Sequence, residues 1–141
     1  MDCFRIELFW LICYISSPAT AYLHQIVGVR GQLMCGKLPL PDTTVRIVDK
    51  NFIGADTPLA ETKTGSDGRF ELEGGTSAFL TMNVHLKIYH DCNDKLPCQR
   101  RVDLQVPSSY VYRGSGVLRW FDAGTLNMSF PYPYEERSCK K

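Results

Sequence analysis

The sequence predicts an all-β fold, an antiparallel β-sandwich of about seven strands, disulfide-bonded, and three observations support this. Short apolar runs alternate with polar residues at period two, glycine, proline and aspartate turn signals separate them at regular spacing, and no helical apolar stripe exceeds two turns. The clearest case lies within residues 82–107. Val84, Leu86 and Ile88 alternate with His85, Lys87 and Tyr89, then Val102, Leu104 and Val106 alternate with Arg101, Asp103 and Gln105. A polar, turn-forming stretch with Cys92 and Cys98 at its ends joins them, which reads as a hairpin, strands E and F.

The other elements follow in chain order. Val27, Val29 and Leu33 alternate with Gly28, Arg30 and Gln32 in strand A, whose glycines suit a bulge or a close backbone approach. Residues 35–42 hold two prolines and a glycine and read as a loop. Strand B covers residues 43–50, with Val45 and Ile47 on one face and Arg46 and Val48 on the other. Residues 51–58 read as a loop, and residues 59–64 as a short polar edge strand C carrying Lys63. Gly65-Ser66-Asp67-Gly68 is a turn in which the last glycine takes positive φ, leading into strand D with Phe70 and Leu72 inward. Residues 74–81 suit a loop or one helical turn. A final strand over residues 120–130 places Leu126, Met128 and Phe130 on one face, and Pro131 and Pro133 steer the tail away from it.

A chain of 141 residues accommodates one domain. Residues 1–21 read as a signal peptide, with an apolar run from Leu8 to Ile15 and an Ala19-Thr20-Ala21 cleavage site, although Asp2 and Glu7 offset Arg5 at its start. The mature domain, residues 22–141, is then secreted and extracellular. Without Arg5, Asp2 and Glu7 the 16 basic and 15 acidic residues become 15 and 13, a net charge of +2. That is too small to hold nucleic acid by bulk electrostatics. Loss of Cys3 and Cys13 leaves Cys35, Cys92, Cys98 and Cys139, an even set that implies two disulfides in an exported chain. Four cysteines allow three pairings. Proximity in the hairpin loop favours Cys92–Cys98, worth roughly 2 kcal/mol, which leaves Cys35–Cys139 at roughly 4 to 5 kcal/mol.

Val29-Arg30-Gly31-Gln32-Leu33-Met34-Cys35-Gly36-Lys37 and the turn from Thr64 to Leu72 contribute to a resemblance. With them go Tyr89-His90-Asp91-Cys92, Cys98-Gln99-Arg100-Arg101 and Glu135-Glu136-Arg137-Ser138-Cys139. Together these resemble the nematode transthyretin-like family over nearly all of the mature chain, and the two cysteine-bearing segments are the most specific part. The resemblance implies a transthyretin-like sandwich, secretion and disulfides, without an established general activity.

Transthyretin-like folds also include 5-hydroxyisourate hydrolases, which end in Tyr-Arg-Gly-Ser, and this chain contains Tyr112-Arg113-Gly114-Ser115. Here the motif is followed by a strand, and Gly31 and Gln32 stand where the hydrolases carry a strand A histidine. Ser115 then lacks a base to activate it. His90, Cys92 and Cys98, with Asp91 or His85, suit a metal site less well than disulfides in an oxidising compartment. No metal and no cofactor are therefore expected, His90 is expected to bond within the loop, and His85 to be a solvated surface residue. Asn127-Met128-Ser129 is an N-glycosylation sequon, making a glycoprotein the expectation. Lys87, Arg100, Arg101, Arg113 and Arg119 are candidates for a basic patch, and His90 and Asp91 for a recognition loop. The expected function is a non-catalytic extracellular binding module acting as a monomer or weak dimer on an extracellular protein or cell-surface ligand, anionic lipid or glycan included. The competing readings are a hydroxyisourate-hydrolase-like enzyme and a small hydrophobic ligand carrier.

Overall fold

A computed structural model describes residues 23–51 and 54–139. The signal peptide, its cleavage site, Cys3 and Cys13 lie outside the described residues. The elements are β1 (His24–Cys35), β2 (Leu38–Pro39), β3 (Thr44–Lys50), β4 (Asp56–Lys63), β5 (Arg69–Ser77), β6 (Val84–His90), β7 (Gln99–Gln105), a 3-10 turn (Ser108–Tyr110), β8 (Tyr112–Arg113), β9 (Phe121–Asn127) and β10 (Glu136–Ser138).

They form two five-stranded sheets. In one, β1 pairs with β5, β2, β8 and β9; in the other the order is β10-β7-β6-β3-β4. The seven expected strands correspond to β1, β3, β4, β5, β6, β7 and β9, and three strands of two or three residues are added. One of these corrects a sequence expectation. Leu38 and Pro39 pair with Cys35 and Met34, so residues 35–42 do carry a brief ladder, closed by Gly36 at φ 65°. A second departure is that β9 runs parallel to β1 in an otherwise antiparallel fold.

The core lies where the period-two pattern places it. Val27, Val29, Leu33, Val45, Ile47, Leu72, Val84, Leu86, Ile88 and Val102 are buried between the sheets. Gly31 faces Phe70 across the β1–β5 ladder, and a Cβ there would lie 2.9 Å from the ring, so glycine makes room for the phenylalanine. Gly28 is covered by Trp120, with 2.7 Å to the position a Cβ would take. At Gly31, between Arg30 and Gln32, the pairing of β1 with β9 shifts register, with the extra residue on β9 between Asp122 and Thr125. Gly68 closes its turn at φ 79°, donating to the Gly65 carbonyl. Strand β4 is the polar edge expected, and Pro58 within it removes a backbone donor from that edge.

Two outward residues on β6 are not solvated as expected. β6 sits in the middle of its sheet, so partners from both sides cover its outer face. Lys87 is only 7% exposed and pairs with Asp56 of β4, while His85 Nδ1 lies 2.6 Å from Asp103 Oδ1 of β7. Asp103 also accepts from Lys50. Burial pushes the Asp103 carboxyl up, but the hydrogen bonds from Lys50 and His85 outweigh it and hold the group below its ordinary value.

Candidate functional site

At one end of the sandwich three loops converge: residues 36–43 after β1, residues 91–98 between β6 and β7, and residues 128–135 between β9 and β10. The β6–β7 hairpin is present in the expected register, with Ile88 opposite Val102 and His90 opposite Arg100. The disulfides are not those expected. Cys35 pairs with Cys92 and Cys98 with Cys139, at Cα separations of 5.7 Å and 4.4 Å. The ladder ends at His90 opposite Arg100. Cys92 then turns into the interior, where it is buried against Cys35 at the end of β1. Cys98 adopts φ 68°, in the left-handed region, and bonds to the tail. Being six positions apart in sequence did not bring these two cysteines together in space. The first bridge joins the two sheets, and the second fastens β10 beside β7.

Two arginines complete the attachment. Arg100, one of the expected patch cations, is largely buried and donates to the carbonyls of Cys92, Met128 and Phe130 and to the Glu135 carboxylate. Arg137 forms a two-point ion pair with Asp94 and donates to the carbonyls of Pro97 and Cys98. That contact holds the Asp94 carboxyl below its ordinary value.

His90 sits under these loops with its side chain fully buried. Its Nδ1 accepts from the Cys92 backbone N–H at 3.1 Å, a bond within the loop as the sequence suggested. Its Nε2 has no hydrogen-bond partner and lies 3.9 Å from Glu135 Oε1. Burial first, and the Arg100 charge second, push the imidazole pKa down from 6.5 to about 4, so the ring is neutral at physiological pH. Beside it opens a cleft of about 440 Å³ lined by Leu40, Asp42, Tyr89, Asp91, Asn93 and the Cys35–Cys92 bridge. Asp91 is exposed at its rim and accepts from Gln99.

The candidate cations of the basic patch do not stand together as unpaired charges. Lys87 and Arg100 are buried in the pairings above, and Arg101 pairs with Glu136. Arg113 donates to the carbonyls of Ala78 and Phe79, and Arg119 lies 4.3 Å from the centroid of the Tyr110 ring. Each charge faces a partner supplied by a neighbouring strand or loop. The Tyr112-Arg113-Gly114-Ser115 motif begins in β8, paired with Gln25 and Ile26. The cysteines of the metal alternative stand in separate disulfides, and its histidine His85 is engaged by Asp103.

At Asn127 the side-chain amide takes the place of a backbone rung. Its Nδ2 donates to the Gly36 carbonyl at 2.9 Å, and its Oδ1 accepts from Gly36 N and from Ser129 N and Oγ.

Among the exposed charged and polar residues of these loops, Lys37, Asp42, Asp91, Asn93 and Lys95, stand four large apolar ones: Leu38, Leu96, Phe130 and Tyr134 are between 63% and 92% exposed. The sequence pattern sets Phe130 on one face with Leu126 and Met128, of which Met128 is buried and Phe130 is not, and does not single out the others. The alternation of aromatic residues with Pro131 and Pro133 was the available signal.

A profile of the Transthyretin-like family matches residues 30–107. The chain belongs to that family. Among curated relatives, this transthyretin-like chain is 42% identical over 136 residues to Transthyretin-like protein 33 of Caenorhabditis elegans, covering 95% of this chain and 94% of the relative. It is 36% identical over 137 residues to Transthyretin-like protein 5 of the same organism, covering 95% and 99%. Transthyretin-like protein 2 is 33% identical over 122 residues, with 82% of each chain covered.

Proposed function

We propose that this transthyretin-like domain is a secreted, non-catalytic extracellular recognition module that binds a protein partner through its disulfide-stapled end. The observation that carries the reading is the display of Leu38, Leu96, Phe130 and Tyr134 on three loops tied together by two disulfides, Arg100 and Arg137. Exposed apolar and aromatic side chains on a fixed backbone lose little entropy on binding, which is the property of interface anchors. Asp91 and the cleft beside His90 add polar groups at the rim, as specific interfaces require.

Export with cleavage after Ala21 belongs to the same reading, and N-terminal analysis of secreted material should find Tyr22. So does a glycan on Asn127, added before its amide docks on Gly36; glycosidase treatment should then lower the mass of the secreted protein.

The test is a binding screen of the oxidised, secreted protein against extracellular domains, with lipid and glycan arrays as further arms, at two salt concentrations. A protein ligand whose binding is insensitive to salt and is lost in Leu96→Ser/Tyr134→Ser is expected. Binding confined to anionic lipid or glycan and abolished by salt would replace the protein reading with the charged-surface one. Turnover of hydroxyisourate lost in Ser115→Ala would replace it with the hydrolase reading, and a tetramer enclosing a small apolar ligand with the carrier reading.

A further inference from the structure

The two disulfides differ in accessibility. Cys92 is buried and Cys35 packs against the core, whereas Cys139 is exposed and Cys98 half-buried. The bridges also hold different things. Cys35–Cys92 joins two sheets whose contact is maintained by the whole core. Cys98–Cys139 holds β10, only three residues long, against the outer edge of β7, opposite Gln99, Arg100 and Arg101.

Apart from the bridge, the tail is held by the partly solvated pair Arg101–Glu136, by Arg137 on Asp94 and on the Pro97 and Cys98 carbonyls, and by Glu135 on Arg100. A three-residue ladder and a few side-chain pairs, with no core residue in β10, give little cooperative stability once the covalent tie is removed. Tyr134 and the chain leading to it from Phe130 lie between the last residues of the sandwich and this fastening.

We infer that Cys98–Cys139 is a redox latch: a dithiol reductant opens it while Cys35–Cys92 stays closed, and opening it dismantles the apolar surface at the stapled end. The inference rests on the recognition reading above for its functional meaning, but the latch itself does not. A thiolate of the reductant attacks Sγ of Cys139, the more exposed residue of the bridge, and Cys98 leaves as a thiolate that takes a proton. The second thiol of the reductant resolves the mixed disulfide and releases Cys139. Two electrons and two protons pass to the protein, and the reductant is left as its cyclic disulfide. The freed tail withdraws Glu135 and Glu136 from Arg100 and Arg101, bares the edge of β7, and no longer fixes Tyr134.

Graded dithiothreitol on the native protein, followed by pulse alkylation and mass mapping, tests the order of opening. Cys98 and Cys139 should label at reductant concentrations at least about tenfold below those needed for Cys35 and Cys92. Hydrogen exchange on the same samples should show β10 and its partners Gln99 and Arg101 exchanging at least about tenfold faster, with β1 and β6 unchanged. The Cys98→Ser/Cys139→Ser variant should reproduce that exchange pattern without reductant. Simultaneous labelling of all four cysteines, earlier labelling of Cys35 and Cys92, or a tail that stays protected after reduction or in the variant would overturn the latch. These readouts need no partner, so a failed binding screen of the oxidised protein counts against the recognition reading alone. A protein ligand bound equally well before and after selective reduction would remove the regulatory role.

Discussion

Acid should destabilise this domain through His90, and the size of the effect follows from its surroundings. The folded protein holds the imidazole neutral with a pKa near 4, whereas in the unfolded chain the group returns to about 6.5. Above pH 6.5 both states carry a neutral ring and the group contributes no pH dependence. As pH falls from 6.5 the unfolded state takes up a proton that the folded state refuses, so stability is lost until the folded pKa is reached near pH 4. That difference corresponds to about 3 kcal/mol lost between pH 7 and pH 4. Carboxylates such as Asp103, depressed in the folded protein, lose their contribution mainly below this window, because their unfolded value is 3.8. The assay is urea denaturation at intervals between pH 7.5 and 4, comparing the wild type with His90→Asn. Asparagine keeps an acceptor near the position of Nδ1 for the Cys92 N–H but does not titrate. The variant carries a constant penalty for its smaller volume, and the wild-type advantage over it should shrink by about 3 kcal/mol across the window. An advantage that stays constant with pH would refute the reasoning, since a ring that protonates freely in the folded state is not buried as described.

Further outcomes can be checked on the same material. Arg100→Met should cost about 3 to 5 kcal/mol in chemical denaturation, because it strands three carbonyls and Glu135, whereas Arg101→Met, which loses a partly exposed pair, should cost under about 1 kcal/mol. Non-reducing peptide mapping should recover Cys35 with Cys92 and Cys98 with Cys139. At a sequence separation of 57, removing Cys35–Cys92 by a double serine substitution should cost about 4 kcal/mol in the chain-entropy model, whereas removing Cys98–Cys139 should cost far less, because the freed tail regains its entropy in the folded state. Asn127→Asp turns an acceptor toward the Gly36 carbonyl in place of a donor and should lower the urea midpoint by the equivalent of about 1 to 3 kcal/mol.

The sandwich was legible because period-two burial is a local property. Val45, Ile47, Phe70, Leu72, Val84, Leu86 and Ile88 announce their strands without knowledge of the partner. Strands β8 and β10 were not legible, because residues 112–113 and 136–138 are extended only where β1 and β7 offer them an edge. Charged residues misled for the same reason. Lys87 looks solvated on an isolated hairpin, and becomes buried once β3 and β4 extend the sheet and bring Asp56 across to it. The disulfide exchange is the sharpest case. The loop between Cys92 and Cys98 is short, but Asn93 and Cys98, both at positive φ, turn it so that one cysteine faces the core and the other the tail.

The placement of charge also bears on where this domain offers surface for binding. On the outer face of the β10-β7-β6-β3-β4 sheet, Arg46 pairs with Glu61, Lys50 and His85 with Asp103, Lys87 with Asp56 and Arg101 with Glu136. A partner docking there would have to desolvate pairs whose charges already satisfy each other, and would gain little in return. At the stapled end several backbone carbonyls are satisfied from within by Arg100, Arg137 and Asn127, and Leu38, Leu96, Phe130 and Tyr134 face solvent among exposed polar residues such as Asp91 and Lys95. Burying those side chains is favourable wherever a partner matches their shape. The same sandwich therefore has a sheet face whose charges are paired and an end whose loops carry exposed apolar side chains, and it is at that end that both disulfides are found.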